Sequence, residues 1–368
     1  MPLLNMPLPS LISLSISFRD TYFFRNSVES FPIFSPHVRE LSVNLFRSHS
    51  RAYGRYRDAV TIESDFICRW KDLRSVDFES ITLGRDALEH LSRMPALTRL
   101  YIPLPATLPA FGSPLSFSNL QYSTLYSESL ITITCFLSHA RLPAVTDFQA
   151  LLGGIPSLEE LPPFWTSLLT SNPGRTLKEL VLSQRYYETS TVRQENMDLD
   201  SLEDLRPCMA FRNLRILRLN LKCNVCLSDS DLLTMASAWP MLVSFEINPN
   251  LGWNSEFGIT PGGLVRLWQI CPSLTSIALR LDTKGYTEVP SSDVPATLGL
   301  TFPSGVTVNV LDADLEVESL SAIATFFSGI AACCHCGLLN LRYWRFDFVI
   351  VDMESRWDHV VEVLRRRV

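Results

Sequence analysis

Three things are scarce in this sequence, and each scarcity excludes a class of protein. No stretch reaches the roughly 18 uncharged apolar residues that a spanning helix needs. Phe326 to Leu341 comes closest and is interrupted by Gly329, His335 and Gly337, so no membrane partner is expected. Positive charge is not in excess: 32 Lys and Arg stand against 38 Asp and Glu, a formal net charge of -6 with a pI near 5.6. A nucleic-acid binder carries a basic stripe, and Arg365-Arg366-Arg367 reads instead as the end of a helix complementing its dipole. Catalytic signatures are missing as well. There is no G-x-S-x-G, no phosphate-binding glycine loop and no H-E-x-x-H, and none of the six histidines has an acid or nucleophile at a diagnostic spacing. His90 reads as a partly exposed helix residue. An enzyme is not expected, nor is a cofactor.

The nine cysteines are an odd number, and the start Met1-Pro-Leu-Leu-Asn-Met-Pro-Leu-Pro lacks the basic region of a secretory signal. A reduced, soluble protein of the cytoplasm or nucleus is the expectation. Cys223-Asn-Val-Cys226 has the spacing of half a zinc site, and Cys333-Cys-His-Cys336 offers thiolates and an imidazole. Neither has a second half, and four consecutive residues cannot all reach one tetrahedral centre. Buried or free thiols are therefore expected, with no metal. A thiol- or metal-dependent enzyme using Cys223 and Cys226 is the alternative.

What the sequence has is a recurring aliphatic triplet. In Phe211-Arg-Asn-Leu214-Arg-Ile-Leu217-Arg-Leu219-Asn-Leu221 the alternation of a strand turns Leu217, Leu219 and Leu221 inward and Arg218, Asn220 and Lys222 outward. Burying each leucine contributes roughly 1.5 to 3 kcal/mol, but one strand has nothing to bury them against. The pattern returns at Leu11, Val38, Leu73, Leu97, Leu177, Leu242 and Leu274, with weaker copies at Leu120, Val145 and Leu158. Pro-x-Leu or Pro-x-Val leads into several copies, since proline stops a helix and feeds an extended chain. Helical spacing precedes three of these prolines, as in Leu232, Met235, Trp239, Pro240 and Leu264, Leu267, Cys271, Pro272. Thr260-Pro261 reads as an N-cap and first helical residue.

The fold class that follows is α/β: a leucine-rich-repeat solenoid with a curved parallel sheet on the concave side, helices and loops on the convex side, and an atypical C-terminal α/β cap. A chain of 368 residues, 46% apolar, would otherwise be two or three domains. The expected division is 1–283 for the degenerate array, 284–304 for a loop rich in Pro, Ser and Gly, and 305–368 for the capping unit. Pro103 to Ser118 should be an irregular loop, Ser50 to Asp65 an exposed loop leading into a helix, and Tyr186 to Glu203 a long polar loop. Val145 and Leu158 lie too close for two full repeats, so one strand is skipped there or residues are missing.

The chain resembles the fungal F-box proteins with degenerate leucine-rich repeats. The resemblance is carried by the Pro-x-Leu-x-x-Leu-x-Leu units, Val308-Asn-Val-Leu-Asp312, the helix Glu318-Ser-Leu-Ser-Ala-Ile-Ala-Thr-Phe-Phe327, Leu341-Arg-Tyr-Trp344 and Arg356-Trp357. It implies a non-catalytic interaction module, the substrate-recognition part of an F-box-type ubiquitin ligase adaptor. The F-box, which docks on a Skp1-type adaptor, is not visible before Leu11, and the expectation is that this chain lacks that half. A generic scaffold unrelated to ubiquitin is the other reading. Either way the partner is an unidentified protein on the outward row of strand residues. Asp77, Glu79, Tyr101, Arg218, Asn220, Lys222, Glu246, Asn248, Arg280 and Asp282 are its candidate contacts.

The inward and outward assignments can be tested directly. Leu217→Asp should cost several kcal/mol, because it buries an unpaired carboxylate, while Arg218→Ala should unfold nothing. Denaturant titration of both variants checks this, and equal loss of structure in the two would reverse the assignment.

Overall fold

The computed structural model describes residues 11–18, 37–45, 60–62, 66–79, 81–184, 197–199, 202–250, 252–253, 258–302, 305–311, 313–334, 339–343 and 351–367. The chain divides into two compact units, Met1–Glu195 and Asn196–Val368. The expected loop Ser50 to Asp65 falls largely outside the described residues, as does most of Tyr186 to Glu203.

In the first unit seven strands run parallel in sequence order: β1 Ser13–Phe18, β2 Glu40–Leu45, β3 Ser75–Phe78, β4 Arg99–Pro103, β5 Tyr122–Ser127, β6 Asp147–Leu152 and β7 Glu179–Gln184. The second unit repeats the scheme with β8 Ile216–Asn220, β9 Ser244–Ile247, β10 Ser276–Ala278, β11 Val306–Asn309 and β12 Leu339–Arg342. Parallel neighbours need a crossover between them. The crossovers carry α1 Arg85–Ser92, α2 Leu130–His139, α3 Leu161–Ser171, α4 Asp229–Ala238, α5 Pro261–Ile270 and α6 Leu320–Ala332, and α7 Val351–Arg367 follows β12. This is the leucine-rich-repeat solenoid architecture. The strands 306–309 and 339–342 continue its parallel order.

The register shows why the triplet has its spacing. Leu217, Phe245, Ile277, Val308 and Leu341 are directly paired neighbours, as are Leu14, Leu41, Val76, Leu100, Ser123, Phe148 and Leu180. The first member of each triplet sits below the strand, where Val38, Leu73, Leu97, Leu120, Val145, Leu177, Leu214, Leu242 and Leu274 are all buried. The residue after it sets the next rung. The carbonyls of Arg39, Arg74, Thr98, Gln121 and Thr146 each accept from a backbone N–H of the following repeat at 2.6 to 2.9 Å, and those of Arg215, Val243 and Thr275 do the same in the second unit.

Helix ends follow local chemistry. Thr260 caps α5 by accepting from Gly263 N at 3.0 Å, with Pro261 at the first helical position. Ser228 and Asp231 form a capping box on α4. Asp229 in the first turn of α4 accepts from the N–H and hydroxyl of Thr260 at 3.0 and 2.6 Å, which ties consecutive helix starts together.

The crowded middle differs from the expectation. Leu120 and Val145 do introduce strands β5 and β6, but Leu158 begins no strand. It opens a short 3-10 turn, Leu158–Glu160, that runs into α3. Ser157 and Glu160 form a capping box there, and the Pro162-Pro163 pair occupies the first helical turn. The aliphatic spacing of Leu158, Leu161, Phe164 and Leu168 is a helical face, and no repeat is skipped between β6 and β7.

Asn172 closes this same crossover. It is buried; its Nδ2 donates to Leu142 O at 2.8 Å and Val145 O at 3.1 Å, and its Oδ1 accepts from Thr176 N at 2.9 Å. Asn172→Ala would leave the Thr176 N–H without its acceptor and take one donor each from Leu142 O and Val145 O, which keep the Val145 N–H and the Thr176 hydroxyl, at a cost of about 1 to 3 kcal/mol. A lowered midpoint in thermal unfolding, with Asn172→Asp failing to restore it, is the expected result.

Candidate functional site

The outward face of the second unit carries two rows of side chains set by the strand register. One row runs Ile216, Ser244, Ser276, Thr307, Asn340, and the next Arg218, Glu246, Ala278, Asn309, Arg342. Short residues in the middle, Ser276, Ala278 and Thr307, lie between longer ones at each end. The result is an open groove of about 320 Å³, lined also by Pro249 and Asn250.

Arg218 and Glu246 are brought together here. The Arg218 guanidinium is about half-exposed and donates to Glu246 Oε2 at 2.6 Å and to Oε1 at 3.0 Å, a bidentate pair between adjacent strands. Ser244 and Ser276 hydroxyls donate to the same carboxylate at 3.0 and 3.3 Å. Burial pushes the Glu246 carboxyl up, and the Arg218 pair with the two hydroxyls outweighs it, holding the group below its ordinary range. Arg218 is thus a tie between repeats, and Arg218→Ala should cost about 1 kcal/mol where the sequence alone implied almost nothing.

The other expected contacts are distributed differently. Asn220 and Asn248 were expected on the outward row and are buried, at 3% and 1% exposure. Asn248 takes a left-handed backbone, φ 51°, which breaks strand alternation directly after β9. Its Oδ1 accepts from Leu221 N at 2.9 Å and its Nδ2 donates to Cys223 O at 3.0 Å, while Asn220 Oδ1 accepts from Asn250 N at 3.3 Å. Both turn the chain after its strand. Lys222, Arg280 and Asp282 are half-buried beyond the strand ends. The Arg280 carbonyl accepts from Ile259 N, and Asp282 N donates to Ile259 O, each at 2.9 Å.

Asp77, Glu79 and Tyr101 belong to the first unit, with Asp77 paired directly to Tyr101. All three are half-buried. Burial, then the neighbouring Glu79, pushes the Asp77 carboxyl up, and Asp77 Oδ1 has no hydrogen-bond partner among the described residues. Nearby, Arg99 lies 4.9 Å from the centre of the Tyr122 ring, and Gln149 Nε2 donates to Glu179 Oε1 at 3.2 Å.

Among the described cysteines Cys208, Cys223, Cys271 and Cys334 are buried, and Cys135 is exposed. Cys223 is buried and Cys226 half-buried, three residues apart on an extended stretch whose side chains alternate. Burial raises the Cys208 thiol well above its ordinary value and pushes Cys271 up to about 11, so neither is a ready thiolate. His335 and Cys336 lie outside the described residues.

The groove residues Thr307, Asn309 and Arg342 escaped the sequence reading. Their signal was present in Val306-Thr-Val-Asn-Val310 and Leu341-Arg342. Taking 305–368 as a capping unit leaves the outward residues of those strands out of the row.

No family model matches the chain, and no curated protein matches it. Among solved structures, it is similar to the crystal structure of the Rad7 and Elc1 complex in yeast, at 16% identity over 92% of this chain and 78% of that one, with a TM-score of 0.42. It is also similar to the TLR13–ssRNA13 complex, at 14% identity over 90% of this chain and 48% of that one, with a TM-score of 0.37.

The two carboxylates give opposite pH dependences. The folded pKa of Glu246 is below its ordinary 4.5, so its stabilisation is present above that pH and is lost as pH falls through the folded value. The folded pKa of Asp77 is above its ordinary 3.8, so ionising it destabilises as pH rises through the folded value. Thermal melts between pH 3.5 and 7.5 should show Glu246→Gln destabilised at pH 7, by about 1 kcal/mol, with the difference shrinking in acid. Asp77→Asn should melt higher than the parent at pH 7 and converge with it in acid.

Proposed function

We propose that the chain is a non-catalytic protein–protein interaction module that presents the outward row of its strands to a partner protein. The observation that carries this reading is the in-register polar face of β8 to β12 with its open groove, an extended surface suited to a strand or loop of another protein. Asp77, Glu79 and Tyr101 on the first unit and Arg218, Lys222, Glu246, Arg280 and Asp282 on the second are the contacts we assign. Asn220 and Asn248 shape the turns behind them. Among the described residues no helix is long and apolar enough to cross a membrane.

The finer reading is the substrate-recognition part of an F-box-type ubiquitin ligase adaptor, acting in the cytoplasm or nucleus. Its support is the family resemblance of the repeats and of the segments 308–312, 318–327, 341–344 and 356–357. In this reading 1–283 is the array, 284–304 a loop and 305–368 the closing unit. The closing unit has local anchors of its own: Trp357 Nε1 donates to Ala313 O at 3.0 Å, Arg356 Nη1 donates to Leu315 O at 2.8 Å, and the Trp357 and Phe327 rings meet edge-on.

Co-expression separates the readings. The full gene product should co-purify with a Skp1-type adaptor and retain it through gel filtration. A product that captures protein partners yet never the adaptor is a generic scaffold, and the ubiquitin assignment falls.

A further inference from the structure

We propose that the groove across β8 to β12 is a binding site for an extended peptide segment bearing acidic side chains, with Arg342 as its anchor. This rests on the interaction reading above and adds the chemistry of the ligand.

The groove offers donors and little acceptor capacity. Its one carboxylate, Glu246, is saturated: Arg218, Ser244 and Ser276 all donate to it. It therefore has little acceptor capacity left for a basic ligand. The donors on the other side are not committed. Asn309 Oδ1 accepts from Leu311 N at 3.1 Å, and its Nδ2 has no acceptor among the described residues. The Thr307 hydroxyl likewise has none. Arg342 is exposed and forms no ion pair with an acid among the described residues. With the Asn340 amide oriented to satisfy both groups, the Asn340 oxygen takes Nε and Nη2 of Arg342 at 3.2 Å. A guanidinium held by a neutral amide along its Nε/Nη2 edge keeps its full charge and still has its Nη1/Nη2 edge to donate to a carboxylate.

Charge and dimensions also suit an acidic segment. The lining contains Arg218, Arg342 and Glu246 as its ionised groups, one net positive charge in a chain whose formal net charge is -6, so the groove is locally positive and attracts an anionic segment. Five strands at about 4.8 Å spacing span roughly 19 Å, the length of about six extended residues. The small Ser276, Ala278 and Thr307 in the middle leave room for a peptide backbone to cross, with the acidic side chain reaching Arg342 at the far end.

The test pans a random hexapeptide display library against the full chain, with Arg342→Glu and Thr307→Ala/Asn309→Ala variants in parallel. Arg342 is exposed at the strand surface, and circular dichroism confirms that each variant is folded. The expected result is enrichment of Asp- and Glu-containing peptides on the parent chain. A synthesised winner should lose roughly tenfold or more in affinity on Arg342→Glu, lose less on the double variant, and weaken as salt rises. Enrichment without acidic bias, or acidic peptides that bind Arg342→Glu equally well, overturns this assignment and leaves the interaction reading standing. So does a groove that takes only phosphoserine peptides when offered both forms. Capture of protein partners that survives groove substitution would place recognition elsewhere on the chain.

Discussion

The structure depends on one repeated backbone contact: a carbonyl one residue past the buried first aliphatic accepts an N–H from the next repeat. Thr98 O holding Gln121 N, and Gln121 O holding Thr146 N, both at 2.9 Å, are successive rungs. Because the bond is between main chains, it is indifferent to the side chain at that position, which is Arg, Thr, Gln or Val. What it requires is that the residue before it be buried and aliphatic, so that the carbonyl is presented at a fixed height. That requirement explains why the first position of the triplet is conserved in character from Val38 to Leu274 while the outward positions are free to vary.

That freedom sets the chemistry of the outward face. Outward residues meet only their counterparts on the adjacent strands, so a groove, an ion pair or a charged edge is composed one rung at a time. Arg218 and Glu246 sit one strand apart and about half-exposed on the Arg side. Their pairing uses up a carboxylate that would otherwise make the face amphoteric. Ala278, on the next strand in the same row, is what opens the groove; a long side chain there would fill it. Tertiary position thus converts a list of outward residues into a site with a definite chemistry of donors.

The fold was largely legible from the aliphatic spacing because that spacing is imposed by burial, a local and periodic demand. Where reading went astray, a second rule with a similar footprint was at work. Leu158 satisfies the triplet spacing, yet Ser157, Glu160 and the following prolines start a helix, and short aliphatic runs do not distinguish the two. Asn220 and Asn248 satisfied outward alternation only as long as the strand continued. Asparagine at a strand end is as suited to capturing backbone groups as to facing a partner, and the left-handed backbone of Asn248 belongs to the turn.

The sequence by itself determined that this is a repeat array with a parallel sheet, since periodic burial over hundreds of residues admits few other solutions. It also determined the net charge, with 38 Asp and Glu against 32 Lys and Arg. Only the tertiary structure decided which outward residues share a surface, because that depends on the register between strands some 25 to 35 residues apart and on where each strand stops. Thr307 and Arg342 meet Ser276 and Glu246 in one groove for that reason. The pairing of Arg218 with Glu246, 28 residues on, was equally invisible in the chain, since an ion pair across strands leaves no local pattern to read.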